Sequence, residues 1–419
     1  MIVFDRFELK NGLKVLVHTD HSSPMVAVNM LYQVGSRNEK PDKTGFAHLF
    51  EHLMFGGSKN APSFDDPIQL AGGESNAFTN SDITNFYCTI PAQNLETVLW
   101  LESDRMENLL LDEKSLETQR HVVVEEFKET SINQPYGDVW HLLSALAFKS
   151  HPYRWPTIGI KPAHIEEANL DDVAEFYKKF YGPNNAILVI SGNIELEKAR
   201  TLVEKWFGPI AHREISANEI PAEPTQNAVR RQRVERPVPT SALYLAFHMC
   251  GRKDDDYQAI DILSDVLASG KSSFLYQRLH KKKRVCNSID AYITGTMDAG
   301  LFIVEAKPAK NVSMLQLERA IWDELDGVSQ IPVNEKVLQK LKNKIENSLE
   351  FSGTSIMNKA MNIAYYEWMG RPEMVNEEFA LYQSLTIEDV QRAAKLVLRR
   401  ENCSVLEYIA TEPPEPATS

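Results

Sequence analysis

Two stretches of this sequence, each a strand running into a glycine and then a helix, stand 216 residues apart. Met25–Tyr32 reads as a strand that leads into Gly35-Ser36-Arg37 and a helix. Ser241–Phe247 does the same into Gly251-Arg252, and 251 − 35 = 216. Further on, Leu170-Asp171-Asp172-Val173 opens a helix leading to the apolar strand Ala186–Ile190. Ile387-Glu388-Asp389-Val390 opens one leading to Ser404-Val405-Leu406, and 388 − 171 = 217. Landmarks at opposite ends of each half that agree within one residue mark a duplication. Each half mixes short alternating strands with grouped amphipathic helices. This predicts an α+β chain of two homologous domains, each a mixed sheet packed on helices.

A duplicated chain of 419 residues exceeds what one core organises, so a linker is expected between the halves. The charged stretch 213–239, with Pro221, Pro224 and Pro237, lacks sustained periodicity and reads as that linker. The expected boundaries are an N-terminal domain over 1–212, a C-terminal domain over 240–411 and a frayed Pro-rich tail over 412–419.

Composition removes several classes. No run approaches the roughly 18 apolar residues of a bilayer span, so membrane insertion is not expected. A formal charge of −13 argues against nucleic acid as a partner, and Arg230-Arg231-Gln232-Arg233 and Lys281-Lys282-Lys283-Arg284 read as solvated faces. Cys88, Cys250, Cys286 and Cys403 show no C-x-x-C spacing and read as reduced, buried thiols. Asp5, Arg6 and Glu8 exclude a secretory signal at the amino terminus. The expected compartment is the cytoplasm, or the periplasm if a leader has been removed.

The chemistry is concentrated between Thr44 and Gly57. This segment reads as a short helix, capped by Asp42 or Thr44 and stopped by Gly56-Gly57 in a left-handed turn. At 3.6 residues per turn, His48, Glu51 and His52 share one face. Two imidazoles one turn apart can reach one Zn²⁺, and the pattern is H-x-x-E-H, the reverse of the commoner H-E-x-x-H. Glu51 is too close along the helix to join them as a ligand and is placed to act as catalytic base. A shift of 216 sets Ser264, Leu267 and Ala268 opposite His48, Glu51 and His52. The second copy therefore keeps the helix without its functional groups, and one metal ion per chain is expected.

A catalytic zinc needs a third protein ligand. The helix over 116–129 offers Glu117, Glu125, Glu126 and Glu129, and spacing alone does not choose among them. His121, about 140° round the helix from Glu126, should not face the same metal.

H-x-x-E-H followed by Val-Val-x-Glu-Glu at 122–126 resembles the pitrilysin-type zinc peptidases (inverzincins), in their processing-peptidase-like branch. The resemblance runs nearly end to end. Gly72-Gly73-Glu74-Ser75-Asn76-Ala77-Phe78-Thr79 is similar to the family's edge strand, and His151–Pro156 and Tyr181–Ala186 are similar to its structural segments. The resemblance implies Glu126 as the third ligand and substrate binding by β-addition at Asn76, Ala77 and Phe78. It also implies a peptidase acting on short or unfolded peptides.

Two positions depart from the family pattern. Gln119 stands where a glutamate supporting the ligand is usual; glutamine still hydrogen-bonds but adds no charge. Alignment on Leu279 puts His280 and Asn287 where active members carry an Arg and a Tyr that hold the tetrahedral intermediate. The resemblance therefore implies a heterodimer in which a homologous subunit supplies Arg and Tyr, rather than a homodimer. The competing reading is a catalytically silent structural or chaperone-like subunit of the same fold.

Overall fold

The computed structural model describes residues 1–215, 219–327 and 335–411. The first sheet contains β1 (Asp5–Glu8), β2 (Lys14–Thr19), β3 (Met25–Tyr32), β4 (Glu74–Thr79), β5 (Thr84–Pro91) and β6 (Ala186–Gly192). The second contains β7 (Arg230–Arg236), β8 (Ala242–His248), β9 (Cys286–Ile293), β10 (Leu301–Pro308) and β11 (Cys403–Ala410). The strand orders are β1-β2-β6-β3-β5-β4 and β7-β11-β8-β10-β9. Without β1 the two coincide. The parallel pair β2/β6 matches the parallel pair β7/β11. The antiparallel run β6-β3-β5-β4 matches β11-β8-β10-β9. The duplication and the α+β class are both present in this topology.

The compact units are not two uninterrupted halves. One comprises Met1–Lys128, Trp155–Ile220 and Ser348–Glu378; the other comprises Glu129–Arg154, Pro221–Asn347 and Phe379–Ser419. The reason is that each sheet has two apolar faces to bury. In the first unit, β3 and β6 are buried almost throughout. One face packs on helices that include Leu95–Asn108 and Leu170–Phe180. The other face, Leu16, Ala27, Leu31, Ile187 and Val189, is covered by Ala360, Ile363 and Ala364 of the helix Ile356–Trp368. In the second unit the helix Val139–Ala147 lays Val139, Leu143 and Leu146 against Ala242, Tyr244, Ile303 and Leu406. Each sheet thus borrows a covering helix from the other half of the chain.

The linker expected over 213–239 is only partly a linker. Arg230–Arg236 is β7, paired in parallel with β11, and Gln226 Nε2 donates to Cys403 O at 2.8 Å. Residues 216–218 and the tail 412–419 lie outside the described residues. The first basic run is this edge strand; Arg231 pairs with Glu318 and with Glu407. The four cysteines are free thiols, three buried and Cys250 half-buried. Among the described residues, no helix is long and apolar enough to cross a membrane.

Candidate metal centre

The histidine helix is Phe46–Leu53. Phe46, Ala47, Leu49, Phe50 and Leu53 are buried, while His48, Glu51 and His52 are half-buried on the other side. Its start differs from the expectation. Neither Asp42 nor Thr44 caps it; the buried Glu39 carboxylate accepts from Gly45 N at 3.0 Å and Ala47 N at 2.8 Å. Thr44 is fully buried and its hydroxyl instead accepts from Ile160 N at 2.8 Å, while Asp42 is exposed. Burial pushes the Glu39 carboxyl up to about 8 against these donors. At the far end Gly57 takes a left-handed φ of 103°, where a Cβ would meet Pro62 O at 2.4 Å. Glycine is therefore obligatory there, but the helix itself already ends at Leu53 with Met54 as its right-handed C-cap, so the glycine pair is not its stop.

The glutamate helix is Glu113–Phe127, capped by the Asp112 side chain, which accepts from Ser115 N at 2.7 Å. Leu116, Val123, Val124 and Phe127 bury one stripe. Arg120 Nη1 donates to Ala168 O at 2.8 Å and ties down the solvent side. This packing brings one of the four candidate glutamates to the histidines. Glu126 comes to 3.4 Å from His52 Nε2 and 3.7 Å from His48 Nε2. Glu117 pairs with Arg120 and Glu125 with Lys128, while Glu129 and His121 point to solvent. Gln119 stands half-buried seven residues before Glu126.

Ligand atoms of His48, His52 and Glu126 all lie within 4.8 Å of one another, and they form the one such group of three among the described residues. The imidazole rings are nearly perpendicular, with centroids 4.8 Å apart. Burial holds His48 well below its ordinary value, so its ring is neutral near pH 7. Hydrogen bonding to His52 holds the Glu126 carboxyl below its ordinary value, against partial burial. Neutral imidazole beside an ionised carboxylate is the protonation pattern a divalent cation requires.

Glu51 lies beside this group, its carboxyl raised chiefly by burial. Thr79, the last residue of β4, works against that rise. β4 is an edge of the first sheet. Asn76 and Phe78 are exposed on it, and Ala77 is half-buried. Phe78 leans on Tyr87 with centroids 6.4 Å apart.

In the second unit the equivalent helix is Tyr257–Ala268, where Ser264, Leu267 and Ala268 are all buried and the Ser264 hydroxyl donates to Asp261 O. That copy serves only the core. His280 stacks on Tyr276 with its Nδ1 3.0 Å from Cys286 O, and Asn287 is exposed on β9.

Known protein families match both halves of the chain. The family model described as Insulinase (Peptidase family M16) matches residues 14–160, which hold His48, Glu51, His52 and Glu126. The model described as Peptidase M16 inactive domain matches 167–345, which hold the helix without them. Zinc protease PqqE of Helicobacter pylori (strain ATCC 700392 / 26695) is 33% identical over 340 residues, 80% of this chain and 76% of that protein. The probable mitochondrial-processing peptidase subunit beta of Arabidopsis thaliana is 26% identical over 405 residues, 92% of this chain and 74% of that protein. The crystal structure of a protease from Helicobacter pylori superposes with a TM-score of 0.91 at 28% identity, covering 97% of this chain and all of that one. Matched in both halves and along most of its length, the chain belongs to peptidase family M16.

Proposed function

We propose that this chain is the metal-bearing subunit of a zinc-dependent endopeptidase acting on short or unfolded peptides. The observation that carries the reading is the convergence of His48, His52 and Glu126 within 4.8 Å, with Glu51 beside them. Two imidazoles and one carboxylate fit a catalytic Zn²⁺, leaving a coordination position open. Relatives named as zinc proteases support the choice of metal. When bound, zinc supplies Lewis acidity, acidifying water and polarising a peptide carbonyl.

Glu51 takes the proton of the attacking water and returns it to the leaving amine; its partial burial raises its basicity for that task. Gln119 supports Glu126 from two turns earlier on the same helix. Asn76, Ala77 and Phe78 receive substrate along the free edge of β4, where backbone pairing tolerates many sequences. His280 and Asn287 supply neither a guanidinium nor a phenol. A homologous subunit carrying Arg and Tyr completes the site, and a relative named as a processing-peptidase subunit supports that arrangement. Loss of one transition-state donor costs about 100- to 1000-fold, so the chain alone is a poor enzyme.

The test measures zinc by elemental analysis and cleavage of a quenched unfolded peptide, using the chain alone and with a co-encoded homologue. One zinc per chain, with strong cleavage only in the mixture, is expected. Glu51→Gln keeps the zinc and loses the cleavage. High activity of the pure chain alone refutes the heterodimer. Absence of both zinc and cleavage favours a silent structural subunit.

A further inference from the structure

One buried guanidinium stands between the histidine helix and the edge strand β4. Arg105 and Glu102, both on the helix Leu95–Asn108, are each 1% exposed. Arg105 Nε and Nη2 donate to the two oxygens of the Glu102 carboxylate at 2.9 and 2.5 Å. The guanidinium carbon lies 4.0 Å from the ring centroid of Phe64 and 4.2 Å from that of Phe86, with Phe55 at 5.9 Å. Phe55 in turn meets Phe64 edge-on at 5.8 Å and Phe86 at 6.0 Å. Arg105 Nη1 finds no hydrogen-bond partner among the described residues.

The three rings belong to the parts that build the site. Phe55 follows the histidine helix, its amide donating to His52 O at 3.1 Å. Phe64 adjoins Asp65, whose carboxylate accepts from the Ser75 hydroxyl of β4 at 2.8 Å. Phe86 stands on β5 directly opposite Ala77 of β4. The residue before Arg105 grips the loop between Phe55 and Phe64. Asp104 accepts from Asn60 N and Asn60 Nδ2 at 3.0 and 2.7 Å, and from the Ser58 hydroxyl. Stability alone does not account for an ion pair at this place. Apolar side chains of like volume in place of a buried pair are often neutral or stabilising, and a buried N–H without a partner is costly. What the guanidinium adds is shape. A planar cation held edge-on by one carboxylate and face-on by aromatic rings fixes all of them about one centre.

We propose that Glu102 and Arg105 are positioning residues: their pair locks the end of the histidine helix, the start of the helix Asp65–Leu70 and the β4–β5 hairpin into one register. A peptide lying on β4 then meets the metal ligands at a set distance. That catalytic consequence rests on the zinc-peptidase reading; the locking of the hairpin does not.

The test replaces the pair in the full chain, Glu102→Leu together with Arg105→Met, and reads amide hydrogen exchange in the metal-free protein. The double variant still unfolds cooperatively, because no lone charge is left buried. Exchange rises about 10-fold or more in β4 and β5, while β2 and β6 keep wild-type protection. Wild-type protection of the hairpin in the folded double variant, or an equal rise in every strand, overturns the proposal. Should the double variant not fold, Arg105→Lys keeps the charge, loses the planar fork and shows the same local rise. Wild-type exchange in Arg105→Lys, or failure of both variants to fold, overturns the proposal as well. In the zinc-loaded protein, with whichever partner shows cleavage, the double variant lowers kcat per bound zinc about 10-fold or more. An unchanged kcat, with or without a change in KM, overturns the positioning role. If the wild type shows no cleavage under any condition, the peptidase reading fails, and the exchange measurement still decides what the pair does.

Discussion

The carboxylate of Glu39 accepts the amide proton of Ala47 at 2.8 Å, one residue before the first histidine of the centre. With Gly45 N bound as well, one buried side chain satisfies two of the donors that a helix start leaves open. Glu39→Ala leaves both buried N–H groups without an acceptor, at roughly 1–3 kcal/mol each. The expected result is a lower unfolding midpoint by circular dichroism together with weaker zinc binding in competition with a chelator, because the first turn carries His48. An unchanged midpoint would show that the helix start is held by something else.

A metal at the centre joins two helices whose ligands, His52 and Glu126, are 126 − 52 = 74 residues apart. Binding to the folded chain alone stabilises by about 2.7 kcal/mol when free zinc is 100 times its dissociation constant. Chelation should therefore lower the unfolding midpoint, and added zinc should restore it. His52→Ala and Glu126→Ala are expected to abolish the zinc-dependent shift, whereas Glu51→Gln preserves it. A full shift in Glu126→Ala would remove Glu126 from the ligand set.

The histidine pair was legible because helical periodicity is a local property, and a four-residue spacing needs no knowledge of packing. The choice of Glu126 over Glu117, Glu125 and Glu129 came only with resemblance, since which face of that helix turns inward depends on Leu116, Val123 and Val124 meeting the core. Glu39 was invisible because capping rules look at the residue adjoining the helix, and this acceptor arrives from six residues before Gly45 across a turn. The strand Arg230–Arg236 was read as linker because an edge strand with alternating charged and half-buried positions carries little apolar signal. Applying the repeat offset of 216 to Lys14–Thr19 would have landed on it. The crossed covering helices left no mark at all, because Ala360, Ile363 and Ala364 declare an apolar face without saying which sheet it covers.

That crossing leaves the histidine-bearing half incomplete by itself. A fragment of residues 1–212 contains His48, Glu51, His52 and Glu126 but lacks the helix Ile356–Trp368. It leaves Leu16, Ala27, Leu31, Ile187 and Val189 bare on one sheet face. Each such aliphatic side chain gains roughly 1.5–3 kcal/mol from burial, and a contiguous patch of them drives association. The fragment should bind the dye ANS and aggregate on size-exclusion chromatography, and a peptide spanning 348–378 should reduce both effects. A monomeric, dye-silent fragment with a cooperative unfolding transition would contradict this account.

The same helix is pinned at one end by an ion pair whose pH dependence can be stated with its sign. Lys359 Nζ lies 2.6 Å from Asp20 Oδ2, with both side chains largely buried, and Ser22 N donates to the other oxygen at 3.0 Å. Lys359 first, then Ser22, holds the Asp20 carboxyl well below its ordinary 3.8 in the folded chain. Below that value the unfolded chain binds a proton that the folded chain refuses, so stability falls as the pH falls. The contribution is complete above about pH 5 and fades as the pH drops through 3.8 and lower. Asp20→Asn keeps the shape and removes the charge. The midpoint of the wild type should exceed that of Asp20→Asn at pH 6, and the gap should narrow steadily toward pH 3. Because the pair is shielded from solvent, raising the salt from 0.1 to 1 M in the assay should change the gap little. A gap that stays constant from pH 6 to pH 3 would mean that the Asp20 charge does not hold the helix.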